Sequence, residues 1–111
     1  MSEVDQLETQ LEFNKHLKAR RLSAERLASN SDFRKLVLNG FCRDDAARYV
    51  QESADPMLTA EQRADALALA QASGHFKRYM QLQIQMGATA DRNIADIEEA
   101  LTEARAEEGA V

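Results

Sequence analysis

The sequence predicts an all-α protein, a small bundle of about five helices with long N-terminal and C-terminal helices. Three observations carry that expectation. Ala, Leu, Gln, Glu and Arg dominate the 111 residues, and all are good helix formers. Pro56 is the only proline and there are four glycines. Trp is absent, and Val, Ile, Thr and Tyr are sparse, which removes the residues that sheets favour.

The first helix is expected over about residues 3–29. Val4, Leu7, Leu11 and Leu22 share one side at 100° per residue, whereas Phe13, Leu17, Ala24, Leu27 and Ala28 share another. The apolar stripe therefore shifts face near Leu11–Phe13, as in a helix that meets two different neighbours. Asn30-Ser31-Asp32 is a cluster of N-cap residues and opens a short helix with Phe33, Leu36 and Val37 on one face. Gly40 reads as its C-terminal cap. A third helix over about 43–54 follows, with Asp44 and Asp45 in its first turn beside the positive end of the helix dipole. Its apolar face holds Ala46, Tyr49 and Val50, and Asp55-Pro56 stops it.

Thr59-Ala60-Glu61-Gln62 reads as a capping box. It starts a fourth helix that reaches about Ala72, where Ser73-Gly74 breaks or caps the chain. The last helix is expected from His75 to Glu107. Met80 to Met86 alternates apolar and polar residues with period two, a strand signal, but the run is Gln- and Met-rich and has no strand to pair with. Helix is therefore expected there too. Gly87, Ala90, Ile94, Ile97, Leu101 and Ala104 recur at spacings of three and four, the pattern of a helix-pairing seam. Its small residues imply close packing or weak pairing. The length suits one domain, divided into residues 1–29, 30–74 and 75–107.

The net charge of −5 is unevenly placed. Residues 1–12 carry Glu3, Asp5, Glu8 and Glu12 and no base. Residues 15–26 carry Lys15, Lys18, Arg20, Arg21 and Arg26 against Glu25. Residues 91–111 carry seven acids against Arg92 and Arg105, so that this segment equals the whole net charge.

Site chemistry is not expected. Cys42 is the only cysteine and reads as a structural thiol, since a nucleophilic one needs a base close by. One internal cysteine forms no disulfide, which fits synthesis in a reducing cytoplasm. His16, His75 and Cys42 lie at no metal-ligand spacing. Asp44, Asp45 and Asp55 do not converge, and Gly87 sits in no phosphate loop. No enzyme activity, cofactor or metal is therefore expected. No stretch approaches the roughly 20 apolar residues of a membrane span, and with an acidic N-terminus that no apolar run follows, an ordinary signal peptide is not expected. Phe76 and Tyr79, three apart, read as a core contact.

Lys15, Lys18, Arg20, Arg21 and Arg26 form a candidate polyanion site. The acidic last helix competes for them: antiparallel pairing would set Lys15–Arg26 against Glu98–Glu108. That alternative and the negative total charge disfavour nucleic acid. Ala90, Ile94, Ile97 and Leu101 are the candidate partner-binding seam.

The runs Asp32-Phe33-Arg34-Lys35-Leu36-Val37-Leu38-Asn39-Gly40-Phe41, Asp44-Asp45-Ala46-Ala47-Arg48-Tyr49-Val50 and Ala54-Asp55-Pro56 are followed by Ala72-Ser73-Gly74-His75-Phe76-Lys77-Arg78-Tyr79 and an acidic helix after it. Over about residues 30–105 this layout resembles small helical proteins of tailed bacteriophages, encoded among head and morphogenesis genes. The resemblance implies a viral origin and a virion structural or assembly role, exercised through helix–helix contact with capsid, portal or tail components or with a second copy. It places the protein in the host cytoplasm or the virion, and it brings no catalytic residue. A small phage protein that binds and redirects a host protein, and a nucleic-acid-binding accessory protein, are the alternative expectations.

Overall fold

In the computed structural model, which describes residues 2–110, the described chain is helical almost throughout. Three helices carry it: α1 (Glu3–Ser29), α2 (residues 31–53) and α3 (Ala60–Gly109). The all-α expectation holds and the expected five helices are corrected to three. The difference lies at two glycines. Gly40 and Gly74 both stay at negative φ inside continuous helix. Glycine permits a left-handed cap but does not impose one, and in mid-helix it costs only about 1 kcal/mol. Ending a helix instead leaves four carbonyls to be satisfied. Ser73 does not break α3 either, because its hydroxyl donates to the Ala70 carbonyl at 2.7 Å within the helix.

Helix ends follow local chemistry. The Asn30 side chain accepts from the Phe33 N–H at 2.9 Å and starts α2. Thr59 and Gln62 form the reciprocal capping box: the Thr59 hydroxyl accepts from the Gln62 N–H at 3.1 Å, and the Gln62 side chain accepts from the Thr59 N–H at 3.0 Å. Between them, Asp55 accepts from the Met57 N–H at 2.9 Å and shapes the turn around Pro56.

Residues Arg34–Asp45 within α2 take the wider π-helical winding. At its end the Ala46 N–H reaches back to the Phe41 carbonyl, five residues earlier, as well as to that of Arg43. Asp44 and Asp45 are thus mid-helix residues rather than a first turn. Their charge goes to neighbours: Asp44 pairs with Arg43 at 3.0 Å and Asp45 with Arg48 at 3.8 Å.

The chain groups into two compact units. Unit 1 combines α1 up to Ala24 with α3 from Leu82 onward, and unit 2 comprises Glu25–Gln81. Within unit 2 the rings of Phe33 and Phe76 lie 6.2 Å apart, tilted by 51°. Ala66, Ser73 and Met80 are its buried positions on α3. Phe76 therefore packs on α2, whereas Tyr79, expected in the core beside it, is 49% exposed.

Candidate interaction surface

Unit 1 is an antiparallel pair of helical segments. Its register follows from contacts along its length: Glu8 with Arg105 at 3.0 Å, Asn14 with Asn93 at 3.2 Å, Arg21 with Asp91 at 3.1 Å. The apolar seam of α3 faces α1 across this pair. Ala90, Ile97, Leu101 and Ala104 are buried and Ile94 is half-buried. Gly87 sets how close the two backbones come. A Cβ placed on it would collide with the Cβ of Arg21, so only glycine fits. On α1 the seam is met by half-buried Val4, Leu7, Leu11 and Leu17 and by buried Ala24.

Asn14 is the polar exception inside the seam, 8% exposed. Its amide donates to the Gln10 carbonyl at 2.8 Å, and its side-chain oxygen accepts from the Asn93 amide. Asn93 is exposed, so the bond matters most to Asn14: sliding by one turn would leave the buried Asn14 oxygen without this donor, which favours the observed register.

Charge is sorted along the pair. Asp91 is held by Lys18 at 3.3 Å and Arg21 at 3.1 Å. Lys15 pairs with Glu12 at 3.8 Å, and Arg20 and Arg26 are exposed. The pairing expected between Lys15–Arg26 and Glu98–Glu108 is corrected: the close approach at Gly87 and the Asn14–Asn93 bond set a register that brings Asp91, not the C-terminal acids, to the basic stretch. Residues 98–108 run beside the start of α1 instead, where Glu3, Asp5, Glu8 and Glu12 are all exposed. Arg105 is the only base at that end of unit 1 among the described residues, so the end is strongly acidic.

One flank of the helix pair is open. Thr9, Gln10, Phe13, Asn14, Asn93, Asp96 and Ile97 line its outer half. Leu17, Leu82, Gln85, Met86, Thr89 and Ala90 continue it, sharing Asn14 and Asn93 as floor. This groove spans residues 82–97 of α3, about 24 Å of helix. Phe13, on the second stripe of α1, stands 61% exposed on its wall and Met86 42%. The two stripes of α1 do not divide cleanly between seam and flank: Leu17 and Ala24 of the second stripe meet the seam, Leu22 of the first is 48% exposed, and Phe13 stands toward the flank. Sequence periodicity marks Phe13 as off the main stripe but does not show that Ile97 and Met86 sit beside it; only the register does.

In unit 2 the Cys42 thiol donates to the Ser73 carbonyl at 3.8 Å. Burial pushes its pKa up, opposed by the charge of Lys77. Less thiolate is present at neutral pH than on an unhindered cysteine, so Cys42 should react slowly with maleimides. The rate should climb with pH, and Lys77→Gln should slow it further, as a stopped-flow or mass-spectrometric time course would reveal. No group of three or more His, Cys, Asp or Glu that could hold a metal occurs among the described residues. Among them, too, no helix is long and apolar enough to cross a membrane.

Comparison of the chain with protein-family models, with curated proteins and with solved structures gives no match.

Proposed function

We propose that this chain is a contact protein, a structural or assembly component of a tailed-phage particle that presents unit 1 to helices of capsid, portal or tail proteins or of its own kind. The observation that carries the contact reading is the groove on unit 1. A two-helix pair buries one face of each helix, and here the flank beside that face keeps a large aromatic in water. A third and fourth helix would complete the core. The phage assignment rests on the resemblance of the layout over residues 30–105 to small phage proteins.

Tagging the protein and following it through infection tests this reading. It should appear in purified particles or in assembly intermediates at a fixed ratio to a structural protein. Recovery solely from the lysate, with neither particles nor intermediates containing it, would refute it.

The acidic end of unit 1 favours a second reading, binding of a basic surface on a host protein. A stoichiometric host partner in pull-downs, with no phage structural protein, would support that alternative. Nucleic-acid binding is the weakest reading, since Lys18 and Arg21 are already engaged by Asp91.

A further inference from the structure

We propose that the groove of unit 1 is filled by the same groove of a second copy, in an antiparallel two-fold arrangement centred on the Asn14–Asn93 bond. This rests on the contact reading above and names its partner. Three features of the groove lead to it.

The first is the chemistry of the lining. Apart from Asp96, the groove offers only apolar side chains, amides and hydroxyls. Two copies of a chain with a net charge of −5 can therefore approach on this flank with a single acid each, Asp96, near its centre.

The second is the sorting of charge along the rim. On α3 the rim continues from Asp96 to Glu99 and Glu103, three and seven residues on, all on one face and all exposed. On α1 it continues from Phe13 the other way, to His16 and Arg20, three and seven residues on and also exposed. At neutral pH the α3 rim is acidic and the α1 rim carries the one positive charge of Arg20, at opposite ends of the groove. A two-fold axis through the Asn14–Asn93 bond exchanges those ends. Arg20 lies six residues beyond Asn14, and Glu99 lies six residues beyond Asn93 in the opposite direction along the pair. The axis therefore brings Arg20 of one copy level with Glu99 of the other, twice. A parallel pairing would stack the two acidic ends.

The third is size. A face about 24 Å long and two helices wide offers roughly 500 Å² per copy, below the roughly 800 Å² per partner of a standard interface. The pair is accordingly reversible and concentration-dependent. Isologous contact closes it at two copies, giving a four-helix arrangement with Phe13, Leu17, Leu82, Met86 and Ile97 from both.

Sedimentation velocity and native mass spectrometry of the full chain, from micromolar concentration upward, test this. A monomer–dimer equilibrium that saturates at two copies is expected. Phe13→Glu should weaken it at least tenfold while leaving the helical circular-dichroism signal intact, because Phe13 is mostly exposed in one copy. Glu99→Lys should weaken it by several-fold, and its weakening should shrink at high salt. A chain that stays monomeric throughout overturns the self-pairing and leaves the contact reading standing with a foreign helix in the groove. A dimer indifferent to Phe13→Glu, or association that continues past two copies, overturns the placement.

Discussion

Replacing Gly87 by alanine is expected to loosen unit 1 by about 1–3 kcal/mol, seen as a lower midpoint in urea unfolding. Two effects oppose each other. Alanine is the better helix former by about 1 kcal/mol. Against that, its methyl group would overlap the Cβ of Arg21 and lie 2.8–2.9 Å from that side chain's Cδ and Cγ. A Cβ is fixed to its backbone, so rotation of the arginine does not relieve the nearest contact. The helices must move apart, and the first neighbour to lose packing is Ala90, fully buried on the next turn of the seam. Gly74 supplies the control. It lies in the same helix with nothing within 4 Å of an added methyl, so Gly74→Ala should stabilise by up to about 1 kcal/mol. The two substitutions are chemically identical and should differ in sign.

Leu101→Ala should cost about 2–4 kcal/mol in the same measurement. Leu101 is 2% exposed, the most enclosed large side chain of the seam. A two-helix pair has few such residues, and its neighbours Ile97 and Ala104 approach from the same helix, leaving little to collapse into the gap. Set against a whole-domain stability of roughly 5–15 kcal/mol, one truncation removes a sizeable share. Leu69→Ala, at a position 42% exposed in unit 2, should change stability by less than about 1 kcal/mol.

What the sequence makes legible is what short-range chemistry decides. The bounds of α1, the Asn30 cap and the Thr59–Gln62 box all follow from side chains that reach only their own turn. So does the seam, because its spacing is a property of one helix. The continuity of α2 and α3 is less legible. Gly40 and Ser73-Gly74 carry the composition of helix ends, yet whether a glycine ends a helix depends on what the flanking segments gain by staying wound. The π winding of Arg34–Asp45 has no signature in the residues themselves. The register of unit 1 is least legible of all. Net charges by segment match the basic stretch to the C-terminal acids, but the close approach at Gly87 and the amide pair at Asn14 are local and specific, and they outweigh diffuse attraction between exposed groups.

That register has a consequence for the behaviour of the pair in different buffers. Near Asp91 opposite charges draw the two helices of unit 1 together; at its other end Glu3, Asp5, Glu8 and Glu12 stand beside Glu98, Glu99, Glu103, Glu107 and Glu108, with Arg105 as the only base among the described residues there. Added electrolyte, whose screening length is about 10 Å at 0.1 M, weakens the clasp and quiets the repulsion at once. Hydrogen exchange should therefore speed up around Lys18 and Asp91 and slow down toward Glu3 and Glu108 as ionic strength rises. One helix pair would then breathe in opposite phase at its two ends, and the salt around it would decide which end opens first.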